Sequence, residues 1–136
     1  MSTLFGEEHV TRYRETDGAE GHIWREGSTV LLLTTTGRVS GEKHTTPLIY
    51  GLAGENPVIV ASKGGAPEHP GWFRNLAKTP EAEVQILGES FAVRARVAEG
   101  EERERLWELM NTIWPHYAEY AEKTDRRIPV VVLERA

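Results

Sequence analysis

"STVLLLTTTGRVSGEKHTTPLIYGL", residues 28–52, reads as two strands joined by a turn. Residues 28–36 are β-branched or apolar almost throughout, the composition of a buried strand. Gly37 and Gly41 bracket a turn, and residues 44–52 carry the chain back. Pro47 confines the returning strand to a sheet edge or a bulge, because proline has no N–H to give to a ladder. The turn itself packs Arg38, Lys43 and His44 together. A hairpin tip has no need of three potentially cationic side chains, whereas a bound anion does.

Outward from this hairpin, "NPVIVASK" is a third strand, ended by Gly64-Gly65. Residues 69–80, "HPGWFRNLAKTP", form a short helix that Pro70 can open and Pro80 stops. Residues 82–88 and 90–99 alternate as strands. In the second, Phe91, Val93, Ala95 and Val97 face one side, and Arg94 and Arg96 the other. Gly88-Glu89 suits a tight turn with glycine first. Residues 99–114 are a helix with an i, i+3, i+4, i+7 stripe of Leu106, Leu109, Met110 and Ile113. Glu101 and Glu102 suit its positive end, and Pro115 breaks it. "HYAEYAEKT" adds a helical turn or two, and "RIPVVVLER", residues 127–135, closes as a strand. Residues 4–16 suggest a short helix, and 17–27 are irregular. The links between most strands are too short for parallel crossovers. The expectation is one α+β domain over residues 1–136, with an N-terminal helical or irregular extension over 1–25. About six mostly antiparallel strands close as a small barrel, with helices at the flanks.

The chain has 136 residues, a 39% apolar fraction and four tryptophans, enough for one core. It has no cysteine, which excludes disulfides and Cys-ligated metals. The net charge of −5 argues against nucleic-acid binding. Between residues 37 and 80, however, five cations face three acids. That leaves a local +2 and puts −7 on the remainder, a pattern that suits a small anionic ligand or is chance unevenness over a short segment. The N-terminus lacks a signal peptide's basic and apolar regions, and no apolar run approaches the ~20 residues of a membrane span. The expectation is a soluble, cytoplasmic protein, with peripheral membrane contact through the N-terminus left open.

Several familiar motifs are excluded. "GRVSGEK" lacks the Gly-Lys-Ser/Thr spacing of a phosphate loop, and no Gly-x-Gly-x-x-Gly follows a strand. The five histidines never stand at helical ligand spacing, so no metal is expected. Gly-x-Ser-x-Gly is absent.

Three stretches look like parts of one site. In the turn, Gly37 and Gly41 allow close backbone approach, Arg38 can fork two bonds to an anion, Ser40 adds a hydroxyl, and Lys43 and His44 extend the rim. The alternative is a solvated hairpin with charged residues guarding an edge strand. In residues 61–72, "ASKGGAPEHPGW", free N–H groups at a strand-to-helix junction can form a nest for an anion or carbonyl, with Lys63 adding charge. A plain loop is the alternative. In "WFRNL", Trp72 lies near Asn75 and Leu76 on one helix face, offering a plane and an amide to a flat heterocycle, or simply a core tryptophan and a local cap. Tyr117 and Tyr120 share a helix side and can wall a substrate pocket, supply a proton, or pack with their hydroxyls at the rim.

"TTTGRVSGEKHTTPLIY", "VIVASKGGAPEHPGWFRNL" and "TDRRIPVVVLER" together resemble the deazaflavin-dependent nitroreductase family, over residues 34–135. The resemblance implies a split β-barrel of the FMN-binding type and a reductase using coenzyme F420. It implies hydride transfer from the reduced deazaflavin to a small electron-poor acceptor: a quinone, an enone or a nitroaromatic. It places the cofactor's anionic tail on the basic turn (Gly37, Arg38, Val39, Ser40, Gly41, Lys43, His44), with Thr46 and Pro47 following. It lays the ring on Ala61, Ser62, Lys63, Gly64 and Gly65, with Trp72, Asn75 and Leu76 near it, and assigns Tyr117 and Tyr120 to the acceptor side. Many relatives carry a cation at Val39 and arginine at His44, so tail binding here should be weaker and tighten as His44 gains a proton. The alternatives are an FMN-binding split-barrel oxidoreductase or a non-catalytic F420 carrier. A homodimer is left open.

Overall fold

The computed structural model describes residues 4–136; the first three residues of the N-terminal extension lie outside the described residues. The chain runs α1 (Gly6–Glu15), β1 (Val30–Thr36), β2 (Lys43–Ile49), β3 (Gly51–Ala53), β4 (Asn56–Val60), α2 (Gly71–Lys78), β5 (Glu81–Ile86), β6 (Glu89–Val97), α3 (Gly100–Ile113), α4 (His116–Glu122) and β7 (Val130–Arg135). The seven strands form one curled sheet in the order β2-β1-β5-β6-β7-β4-β3. Every pairing is antiparallel. The expected α+β class and split-barrel arrangement of antiparallel strands are present, with one strand more than the sequence suggests.

The extra strand comes from the returning arm of the first hairpin. It breaks at Tyr50, so that β2 and β3 occupy opposite edges of the sheet. One residue joins the two edges, and the sheet must curl until they meet. Pro47 sits on β2 opposite Leu32 of β1, its only neighbouring strand among the described residues, which is the edge position that proline demands. The break is held by bonds from Tyr50 N–H to the Thr29 carbonyl (3.0 Å) and between Tyr50 Oη and His22 Nε2 (2.9 Å). Past it, α3 packs so closely on β3 that a Cβ on Gly51 would lie 2.8 Å from Ile113 Cδ1 and 2.9 Å from Met110 Sδ.

The apolar runs of β4 and β7 are explained by burial on both faces. Ile59, Ala61, Val131 and Leu133 point into the barrel with Leu31, Leu33, Val84 and Val93. Their neighbours Val58, Val60, Val130 and Val132 pack outward with Leu106, Met110 and Tyr117 of α3 and α4. A strand covered on both sides loses polar alternation, so its sequence reads as a continuous apolar run. On β6, Phe91, Val93 and Ala95 turn inward as expected, but Val97 is 46% exposed at the strand's end.

The β5–β6 turn corrects the sequence reading. Ile86 pairs with Glu89, so the two turn residues are Leu87-Gly88, not Gly88-Glu89. Leu87 takes φ +55°, and its N–H donates to the buried Tyr13 Oη at 2.8 Å. A tertiary bond from α1 offsets a conformation that glycine would normally occupy.

Candidate functional site

The line along which β2 parts from β4 opens into a groove of about 570 Å³, within the range of small-molecule sites. Pro47, Leu48 and Ile49 of β2 form one wall. Val60, Ser62, Lys63 and Gly64 form the opposite one, where β4 ends in a 3₁₀ turn, Lys63–Gly65. Pro70 and Trp72, at the start of α2, close one end; Trp114, Tyr117 and Tyr120 of the α3–α4 junction close another. Phe5, Trp24 and Arg25 complete the rim. A smaller apolar cavity of about 160 Å³, reaching His9 and Val30 beneath α1, shares Phe5, Trp24, Pro47 and Ile49 with the groove.

The 3₁₀ turn carries the polar chemistry of the groove. Lys63, Gly64 and Gly65 all have positive φ (+46°, +63° and +84°). Gly65 N–H returns to the Ser62 carbonyl at 2.9 Å and Ala66 N–H to the Lys63 carbonyl at 3.1 Å. The N–H groups of Ser62, Lys63 and Gly64 have no acceptor among the described residues. They form a short ribbon of free donors, suited to an anion or a polarised carbonyl.

The basic turn lies behind the first turn of α2 and adjoins the groove without lining it. Arg38 Nη1 donates to Asn75 Oδ1 (2.9 Å) and to the Gly71 carbonyl (3.4 Å). Arg38 N–H donates to the same Oδ1 (3.2 Å), and Asn75 Nδ2 to Thr35 Oγ1 (3.1 Å). Lys78 Nζ caps the Arg38 carbonyl at 2.8 Å, and Lys43 Nζ bonds Thr36 Oγ1 at 2.9 Å. His44 lies over Gly37, where a Cβ would come within 2.8 Å of its Nε2 and 3.0 Å of Ser40 Oγ. Val39 stands 92% exposed at the tip, next to exposed Ser40 and Gly41. The structure thus joins two of the three stretches through Arg38 and Asn75, and the other pair through Ser62–Gly64 and Trp72.

Of the other residues singled out from sequence, Pro47, Ser62, Lys63, Gly64, Trp72, Tyr117 and Tyr120 line the groove. Thr46 lines the adjoining cavity, Ala61 and Leu76 belong to the barrel core, and Gly65 packs against α4. Trp72 serves in both capacities, as a core residue and as a groove wall. Burial pushes the Tyr117 hydroxyl well above the ordinary tyrosine value, which makes it a poorer acid than a free phenol. Tyr120 Oη accepts a bond from Trp114 Nε1 at 3.3 Å, leaving its own proton available.

Sequence reasoning missed Phe5, Trp24, Arg25 and Trp114. One signal was present: three of the four tryptophans line this groove, and buried-rim tryptophan is the residue type that best combines area with a polar handle. Trp24 stacks on Trp114 with ring centroids 5.8 Å apart, and Arg25 lies over Trp24 at 4.6 Å.

The segment bearing Trp24 and Arg25 is tied to α4 by His116. Its Nε2 donates to Glu26 (2.8 Å) and its Nδ1 to Glu119 (2.7 Å), so the bridging form is the imidazolium. The bond to Glu26, then that to Glu119, raises its pKa. Folded His116 therefore keeps its proton to higher pH than an unfolded histidine, near 6.5. The clasp is complete below that value and is lost as pH rises through the folded value. Glu26 is held at φ +56°, a left-handed strain of about 1–2 kcal/mol that the clasp opposes. We expect the Trp24 indole N–H resonance to shift as pH rises above the ordinary histidine value of about 6.5, and to stay put in H116Q. An equal shift in H116Q would show that the clasp does not hold this segment.

Among known proteins, the model of the F420H(2)-dependent quinone reductase family matches residues 5–135. The F420H(2)-dependent quinone reductase Rv1261c of Mycobacterium tuberculosis (strain ATCC 25618 / H37Rv) is 39% identical over 130 residues, covering 93% of this chain and 87% of that protein. The solved structure of an F420-H2 dependent reductase, FDR-A, superposes with a TM-score of 0.72 at 44% identity, over 77% of this chain and 93% of that one. A further structure, described as a domain-swapped dimer, superposes with a TM-score of 0.74 at 41% identity, over 93% and 95% of the two chains.

Proposed function

The chain belongs to the F420H(2)-dependent quinone reductase family, and from that membership we propose that it is an F420H2-dependent reductase acting on a quinone. The observation that carries this reading at the level of residues is the groove: a ribbon of unsatisfied N–H groups on one wall, facing flat apolar and aromatic surfaces across about 570 Å³. That combination suits a flat, polar-edged heterocycle with a second planar molecule beside it. When bound, reduced deazaflavin supplies the hydride that, with one proton, converts a quinone to a hydroquinone.

The chain's own groups orient and shield. Ser62, Lys63 and Gly64 N–H groups hold the polar edge of the ring, where fixed dipoles stabilise negative charge without reorganisation. Trp72, Pro47 and Leu48 fix its plane, and Trp24 and Trp114 keep water from the open side. Tyr120 is the proton donor to the reduced acceptor, because its hydroxyl accepts from Trp114 Nε1 and so has its own O–H free to point at the acceptor. Tyr117, buried and held neutral, is wall. We assign the anionic tail to Lys63 and to the turn containing Arg38, Ser40, Lys43 and His44, which adjoins the groove through Gly71. The described dimeric relative supports a homodimer as the assembly. Among the described residues no helix is long and apolar enough to cross a membrane.

Separate titrations with F420 and FMN, followed by tryptophan fluorescence, test the cofactor. Quenching is expected with F420 and not with FMN, since three tryptophans line the groove. Mixing with F420H2 and a panel of quinones, enones and nitroaromatics should regenerate the oxidised cofactor's visible absorbance, fastest with quinones. Binding of FMN in preference would replace the cofactor assignment. F420 binding with no turnover across the panel would make the chain a carrier.

A further inference from the structure

We propose that Arg126 is the positioning residue of the groove: its guanidinium holds residues 61–66 so that the Ser62 and Lys63 N–H groups face the ligand. The inference rests on the cofactor reading above only for what the ligand is.

Arg126 lies in the loop between α4 and β7, away from the groove lining. Its donors reach back across 57 to 65 residues of sequence. Nε donates to the Ala66 carbonyl at 2.8 Å, Nη1 to the Ala61 carbonyl at 3.1 Å, and Nη2 to the Ser62 carbonyl at 2.7 Å. Nη1 also donates to His69 Nδ1 at 3.0 Å. Three carbonyls from six consecutive residues thus converge on one planar cation.

The consequence follows from the peptide bond. Among the described residues every peptide is trans, so each N–H points opposite to the carbonyl of its own peptide plane. Drawing the Ala61 and Ser62 carbonyls to Arg126 turns the N–H groups of Ser62 and Lys63 the other way, and Ser62 and Lys63 line the groove. The same bonds hold Lys63 at φ +46°, which a lysine leaves readily if nothing holds it. The Ser62 carbonyl accepts from both Arg126 and Gly65 N–H, so clamp and turn share an atom. Only arginine has donors fixed in a plane wide enough to span three carbonyls. Lysine keeps the charge but presents a point donor.

R126K therefore separates positioning from simple attraction of an anion. The experiment measures F420 affinity by fluorescence and amide hydrogen exchange in the cofactor-free protein, for wild type, R126K and R126A. In both variants, exchange at the bonded amides of this segment, Ala61, Gly65 and Ala66, should rise while β5 and β6 stay protected. F420 affinity should fall about tenfold or more, the scale of one lost charge-assisted bond. Millimolar guanidinium should restore part of the affinity to R126A and not to wild type. R126Q replaces any variant that circular dichroism shows to be unfolded. The proposal is overturned by wild-type affinity in R126K, by unchanged exchange at Ala61, Gly65 and Ala66, or by loosening spread evenly across the sheet, which marks a general stabilising role. A wild-type protein that binds no F420 counts against the cofactor reading instead, and the exchange result then decides the clamp by itself.

Discussion

Replacing Gly65 by alanine should lower stability by about 3 kcal/mol and abolish ligand binding in the groove, through two separable causes. Gly65 has φ +84°, and a Cβ there would lie 2.7 Å from the Tyr120 carbonyl oxygen and 3.0 Å from Lys123 Cβ. The first cause is backbone strain, about 1–2 kcal/mol for a residue with a Cβ. The second is overpacking against the backbone of α4, about 1–3 kcal/mol because a helix cannot yield as a side chain can. Gly64 is the internal control. It has φ +63°, but an added Cβ meets nothing within 4 Å, so G64A should show the strain alone, about 1–2 kcal/mol. Urea unfolding of the two variants gives the comparison. Equal losses would mean that the turn does not bear on α4, and that Tyr120 is placed independently of the N–H ribbon.

Asn75 should be the next most sensitive position. It is 6% exposed and satisfies three groups: Arg38 N–H, the Arg38 guanidinium, and the Thr35 hydroxyl. N75A would strand a backbone donor and a charged donor beside a core helix, a loss of about 2–3 kcal/mol. N75D retains the acceptor facing Arg38, and the Thr35 hydroxyl can turn to donate, so its loss should stay within about 1 kcal/mol. Because Arg38 is oriented by Asn75, F420 affinity should fall in N75A even under conditions where the variant is fully folded. An N75A that unfolds in urea like wild type would remove the network from the account of how α2 meets the turn.

The fold was readable where a single face or a single spacing decided the matter. The stripe of Leu106, Leu109, Met110 and Ile113 defined α3, and Pro47 marked an edge strand that the sheet order bears out. The break at Tyr50 was not readable, because apolar residues continue through it and the bend depends on Thr29 and His22 from elsewhere. Leu87 at a glycine-like φ was unreadable for the same kind of reason, since Tyr13 of α1 holds it. In the groove, glycines and aromatics announced the Lys63–Gly65 turn and Trp72. The cations of the basic turn were legible as a cluster, but not in their present employment: Arg38 on Asn75 and Gly71, Lys43 on Thr36, Lys78 on the turn's own carbonyl. Arg126 left no local trace, because all but one of its partners are main-chain carbonyls, which every residue possesses.

Tyr50 has a wider implication. Since it alone links the two margins of the sheet, Ile49 and Gly51 can stand no farther apart than two Cα steps, about 7 Å. The mouth of the barrel is pinned at that end by covalent geometry and not by packing. Descendants of this chain can exchange wall residues freely and so change which planar molecules they admit, while the gauge of the opening stays constant.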